Sequence, residues 1–152
     1  MRGPGPGRRA AVSDFDTSLA YVRTRLAAFE PAAPETGPRT RHAAVAAVLR
    51  EGAGDTEVLL IRRAERPGDP WSGHMAFPGG HRDPGDPHLM ATAMRETADE
   101  VGLRLPDQAA IGALEAIRAN PRGRPIDMLV TPFVFAVEAP GPVATVDVLT
   151  GI

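Results

Sequence analysis

GHMAFPGGHRDPGDPHLMATAMRETADEVGL, running from Gly73 to Leu103, is the stretch whose reading decides the fold. It opens with a glycine turn and continues into a helix with two faces. At helical spacing Met90, Ala93, Met94, Thr97 and Val101 form a mostly apolar stripe, while Thr92, Arg95, Glu96, Asp99 and Glu100 fall on the other side. The pattern predicts a helix that packs by the first face and presents acid on the second. Asp86 is placed to cap its N-terminus and Pro87 to follow where a missing N–H costs nothing. Gly102 is suited to the left-handed turn that ends a helix. Glu96, Asp99 and Glu100 stand at i, i+3 and i+4, so three carboxylates are expected on one patch.

Like charges so placed are relieved by solvent, by arginine, or by a hard divalent cation such as magnesium, which takes oxygen ligands and shares its shell with substrate phosphates. A solvated acidic face is the simpler reading of Glu-x-x-Asp-Glu alone. The glycine turn ahead of it adds a second feature. Together they resemble the Nudix hydrolase pattern Gly-x5-Glu-x7-Arg-Glu-U-x-Glu-Glu-x-Gly-U, where U is bulky and aliphatic. Gly80 matches its first glycine, Arg95 and Glu96 the Arg-Glu pair, Asp99 and Glu100 the paired acids, and Gly102 with Leu103 the ending. Three positions depart from it. Asp86 fills the first acidic position one residue farther from Arg95 than usual, Thr97 replaces an aliphatic residue, and Asp99 is a methylene shorter than glutamate.

The extra residue and Phe77-Pro78-Gly79-Gly80 are familiar from the coenzyme A pyrophosphatase branch, as are Arg63 after Leu59-Leu60 and the later Val130-Thr131-Pro132-Phe133-Val134. Trp71 stands where that branch usually has histidine. The resemblance implies an α+β fold, an α/β/α sandwich around a mixed, curved sheet. It implies Mg2+ or Mn2+ held by Glu96, Asp99 and Glu100, with Glu96, Glu100 and Arg95 as catalytic residues. Arg95 is expected to orient the acids rather than donate a proton, since a guanidinium stays charged. Substrate contacts are expected from Arg63, Gly79, Gly80, His81 and Trp71. For three residues a structural role competes: Arg63 as an exposed strand-end arginine, Trp71 as packing under the loop, and Asp86 as a cap alone or a cap that also bonds to the catalytic segment.

The whole chain agrees with a soluble nucleotide enzyme. At 152 residues and 43% hydrophobic content it is one domain's worth of ordinary globular sequence, with net charge -2 and pI near 6.1. All basic residues are arginines spread along the chain, so no field for nucleic acid is expected. There is no cysteine, hence no disulfide or thiolate chemistry, and no lysine, hence no P-loop. Ser72 lacks the flanking glycines of a serine nucleophile elbow, and His74, His81 and His88 have no zinc spacing. These histidines are expected to meet substrate phosphate. No run approaches the roughly 20 apolar residues of a membrane span and none reads as an export signal, so the cytoplasm is the expected compartment.

In chain order, residues 1–12 read as a Gly/Pro/Arg-rich arm, Ser13 to Phe29 as a helix with Phe15, Leu19, Val22 and Leu26 inward, and Pro31 to Pro38 as a linker. This divides the chain into a 1–38 leader and a 39–152 Nudix domain. Strands are expected at Ala43–Leu49 and Glu57–Arg62 around a Glu51–Asp55 loop, and at Ala109–Ala119 and Asp127–Val137 around the turn Asn120–Pro125. Pro132 argues for an edge, a strand start or a bulge. Beyond Pro142–Val148 no helix-length segment remains, so the domain is expected to be short at its C-terminus. Some Nudix enzymes take their general base from that region; Glu115, Asp127 and Glu138 are the remaining carboxylate candidates for the role.

The expected reaction is metal-assisted attack of water on the pyrophosphate of a nucleoside diphosphate joined to another group, with coenzyme A first. Other expectations are ADP-ribose or a dinucleoside polyphosphate, or a silent module that binds nucleotide or protein. The expected partner is a small nucleotide, with no nucleic acid or membrane, and either a monomer or a homodimer is compatible with the sequence.

Overall fold

The computed structural model describes residues 16–53, 55–69, 72–119 and 126–138. The first twelve residues, Trp71, the turn Asn120–Pro125 and the segment from Pro142 to Val148 lie outside the described residues.

The sheet is built on β1 (Arg41–Glu51), although four alanines give it weak intrinsic strand preference. Position overrides that preference, because β1 is paired on both sides. Along one side it runs parallel to β8 (Met128–Ala136), from Arg41↔Met128 to Leu49↔Ala136. Along the other side, its early part pairs with β5 (Gly79–His81) and its end with β2 (Thr56–Val58), both antiparallel. The far side of β8 carries β7 (Ile117–Ala119) and β6 (Ala110–Ala113), also antiparallel. The sheet is therefore mixed and six-stranded, and β3 (Ile61–Arg62) with β4 (Met75–Ala76) forms a separate ribbon.

The expected Glu57–Arg62 strand is thus divided between β2 and β3, and the Ala109–Ala119 strand between β6 and β7. The second division explains Pro132, which lies inside β8, neither at an edge nor at a start. β7 pairs with β8 as far as Val130 and β6 resumes at Phe133, so Pro132 falls where the neighbouring ladder is interrupted. Its carbonyl still accepts from Leu114 N–H at 2.9 Å.

One sheet face packs on helix α2 (Leu89–Val101): Ala44, Ala46 and Val48 of β1, Phe135 of β8 and Ala93 of α2 share one buried cluster. Alanine at these positions brings helix and strand close, and Ala44, Ala46, Ala93 and Phe135 are fully buried. The opposite face carries α1 (Leu19–Ala27). Gly112 of β6 pairs with Val134, on the face away from Phe135, and a Cβ there would lie 3.2 Å from the Leu26 Cβ. The layers are therefore α/β/α, as expected. The cap of α1 is Ser18, its hydroxyl accepting from Tyr21 N–H at 3.2 Å, and Ser13, the expected start of the helix, lies outside the described residues. Thr17 adds a bond to Asp55 at 2.8 Å, which ties α1 to the β1–β2 turn.

No helix among the described residues is long and apolar enough to cross a membrane.

Candidate active site

Gly79 brings the backbone of β5 close to β1, and Gly80 brings it close to helix α2. A Cβ on Gly79 would stand 2.3 Å from the Ala44 carbonyl oxygen, and one on Gly80 would stand 2.7 Å from the Glu96 carboxyl carbon. Both glycines are needed for close approach rather than for a left-handed turn. Gly102 does take that turn (φ 71°) and ends α2, its N–H reaching the Ala98 carbonyl at 2.9 Å.

The N-terminus of α2 corrects the sequence reading. Its cap is His88, whose Nδ1 accepts from Ala91 N–H at 3.0 Å. Asp86 lies two residues earlier and braces Arg95 instead. Its Oδ1 accepts from Arg95 Nε at 3.0 Å; its Oδ2 accepts from Arg95 Nη2 at 3.0 Å, Thr92 Oγ1 at 2.8 Å and Asp83 N–H at 2.9 Å. The two-point arginine contact, with these other donors, holds the carboxyl well below the usual carboxylate range although it is buried. Thr92, expected among the solvent-facing acids, is fully buried in this contact.

Arg95 carries the brace onward. Its Nη1 donates to Glu96 Oε1 at 2.9 Å and its Nη2 to the His81 carbonyl at 3.3 Å, so it orients the acid beside it as anticipated. Asp99 stands apart: its side chain is 66% exposed and its nearest charged partner is Arg95 at 3.7 Å. Among the described residues no three carboxylate, histidine or cysteine side chains gather in metal-holding geometry. Glu100 is thus the buried acid of the three, Glu96 stands beside it, and the more exposed Asp99 also adds its charge to the rise at Glu100.

Glu100 is not on a solvent face. It is 3% exposed, and its Oε2 is fully buried with no hydrogen-bond partner. Burial pushes its carboxyl up to about 7, with the Glu96 charge adding to the rise while the Gly79 N–H and the Arg63 charge pull against it. Arg63 is not the exposed strand-end residue of the structural alternative. Its side chain is 14% exposed and bonds to Asp69 at 2.9 Å, and its Nε is likewise buried without a partner. The backbone around it is fixed, with Arg63 N–H on the His74 carbonyl at 2.9 Å and Gly73 N–H on the Arg63 carbonyl at 3.1 Å.

A bare buried carboxylate oxygen next to a second carboxylate is unfavourable without a proton or a cation. The donor set is all oxygen, which suits magnesium or manganese, and Glu96 with Glu100 would hold such an ion. Asp69 and Thr92 escaped the sequence reading because neither belongs to a motif, and only the chain's path shows what they support. His81 is exposed beside Gly80. Of the three carboxylate candidates named outside the helix, Asp127 is engaged by Thr40 Oγ1 at 2.6 Å and by Arg118, while Glu115 and Glu138 are exposed.

Comparison with known proteins fits this geometry. An uncharacterized protein of Schizosaccharomyces pombe is 46% identical over 82 residues, 51% of this chain and 25% of that protein. The human mitochondrial coenzyme A diphosphatase NUDT8 is 35% identical over 79 residues, 52% of this chain and 34% of that protein. The chain thus spans about a third or less of the length of these relatives. A crystal structure of a Nudix hydrolase from Alicyclobacillus acidocaldarius superposes with a TM-score of 0.55 at 26% identity, covering 70% of this chain and 73% of that one. The model of the NUDIX domain matches residues 40–147, which contain the sheet, the Gly79–Gly80 turn and α2, and the chain belongs to the Nudix family.

Proposed function

We propose that the protein is a divalent-cation-dependent hydrolase that cleaves the pyrophosphate bond of a nucleoside diphosphate joined to another group, with coenzyme A or a derivative as substrate. The observation that carries this reading is the bare, buried Glu100 Oε2 beside Glu96, whose carboxyl the Gly80 backbone approaches closely. Coenzyme A is preferred because of the partial match to a coenzyme A diphosphatase, joined by Phe77-Pro78-Gly79-Gly80 and Arg63.

The residues divide the work by charge. Glu96 and Glu100 would hold a divalent cation, which would supply positive charge against the negative charge that grows on phosphate during attack. Arg95, fixed by Asp86, holds Glu96 in place, and the fixed arrangement removes reorganisation from the reactive step. Arg63 is held by Asp69 near Glu100 and offers a guanidinium suited to phosphate oxygens. The attacking water must lose a proton. Its acceptor is Glu100 or a carboxylate outside the helix. The O–P bond forms, the bond to the bridging oxygen breaks, and a nucleoside monophosphate and a phosphorylated remainder leave.

The test is an assay of the full chain with Mg2+ and Mn2+ on coenzyme A, ADP-ribose and dinucleoside polyphosphates. Phosphopantetheine appearing from coenzyme A supports the reading. Turnover of ADP-ribose alone would shift the substrate, and inactivity on the whole panel would favour a silent binding module.

A further inference from the structure

Between the start of β1 and the turn after β5 lies a depression of about 490 Å³ lined by Arg41, His42, His81, Arg82, Asp83 and Pro84. None of these residues belongs to the carboxylate pair. We propose that this depression is a phosphomonoester site, receiving a phosphate group that the substrate carries in addition to its diphosphate. The proposal rests on the hydrolase reading above and deepens it.

The lining is held by paired backbone. Arg41 N–H bonds to the Asp127 carbonyl at 2.8 Å, His81 is opposite Ala43 in the β1–β5 ladder, and Arg82 N–H extends that ladder to the His42 carbonyl at 2.9 Å. The four basic side chains are also short of partners. Among the described residues, Arg41, His42 and His81 make no side-chain hydrogen bond or ion pair, and Arg82 reaches only the Asp86 carbonyl at 3.4 Å. The single carboxylate in the lining, Asp83, directs Oδ1 to Gly85 N–H at 2.9 Å. Two guanidinium groups around one concavity repel, and a compact dianion relieves both. A phosphomonoester carries about 1.5–2 negative charges at neutral pH, and arginine meets its oxygens with two parallel N–H donors.

The depression begins one residue along β5 from the candidate active site. Gly80 lies against Glu96, and the next residue, His81, gives its carbonyl to Arg95. Side chains alternate along a strand, so Gly80 faces α2 and His81 faces the other way. Among the described residues β5 pairs only with β1, and its free edge is where one ligand can touch both sides. A substrate with its diphosphate at Glu96 and a second phosphate group around that edge would use both sites. This favours nucleoside diphosphate derivatives bearing a ribose phosphate over those without one.

The test uses two substrate pairs that differ by one phosphate: coenzyme A with dephospho-coenzyme A for the 3′ position, and NADP with NAD for the 2′ position. With the full chain and Mg2+, kcat/KM should favour the phosphorylated member of at least one pair by about tenfold or more, the discrimination typical of a charged hydrogen bond. Arg41 is exposed, so Arg41→Gln should keep the fold; it should cut that preference by about tenfold while the unphosphorylated member is turned over as before. Equal kcat/KM within both pairs, or a preference that survives Arg41→Gln, would overturn the proposal. Inactivity on all four compounds would instead sink the coenzyme A reading. Calorimetry without metal then decides the pocket: adenosine 3′,5′-bisphosphate binding more tightly than AMP, with the difference lost in Arg41→Gln, supports it, and equal binding refutes it.

Discussion

Asp86 and Glu100 are both buried carboxylates in contact with the same helix, yet their surroundings push them in opposite directions. Asp86 has three side-chain or backbone donor groups around it, including both sides of a guanidinium, and is held ionised. Glu100 has a bare oxygen and a neighbouring acid, and is held toward its protonated form. The first site is complete without any ligand, as a structural brace should be. The second is left incomplete by the protein, which is what a site for a cation or a proton requires.

The largest expected effect comes from breaking the incomplete site. Glu100→Gln should lower turnover by about 10²–10⁴-fold while leaving stability near neutral pH, without divalent cation, equal or slightly higher. Steady-state kinetics beside urea denaturation reads both halves; unchanged turnover would move the reaction elsewhere. Breaking the complete site should do the reverse in emphasis. Asp86→Ala should cost about 2–4 kcal/mol of stability, toward the lower end because Arg95 is 36% exposed, and should slow turnover through misplacement of Glu96. A loss under half a kcal/mol on urea denaturation would show that the brace is ornamental.

A smaller effect separates the two acids by pH. Glu100 is raised above the ordinary value of 4.5, so its stabilising contribution is whole below that pH and is lost as pH climbs through about 7. Asp86 is lowered, so its contribution is present above the ordinary value of 3.8 and is lost as pH falls below it. Denaturation at a series of pH values should therefore show a decline between 4.5 and 7 that Glu100→Gln removes. A wild-type and variant pair with identical profiles there would contradict the assignment.

Much of this was legible in the sequence, and for reasons that can be stated residue by residue. The glycine pair, the acid spacing and Gly102 are local signals, fixed by what a turn and a helix end demand. The strand at Ala43–Leu49 was legible from length and apolarity despite its alanines, because a central strand is specified by its two neighbours. What escaped was set by tertiary path. Helical spacing placed Thr92 and Glu100 on a polar face, but β5 passes over Glu100 and the loop carrying Asp86 meets Thr92. Periodicity along one helix says nothing of a strand crossing it. Asp86 fitted the chemistry of a cap equally well, and only the entry of the chain two residues later, at His88, shows that its oxygens are spent on Arg95. Arg63 looked like a strand-end arginine until the loop carrying Asp69 folded back over it.

The most direct measurement is Mn2+ binding to the purified full chain at neutral pH, followed by electron paramagnetic resonance in parallel with proton release. The account predicts a site that releases a proton as the ion enters, and that is lost in Glu96→Gln and in Glu100→Gln but kept in Asp99→Asn. Binding that survives both glutamate substitutions unchanged would contradict it.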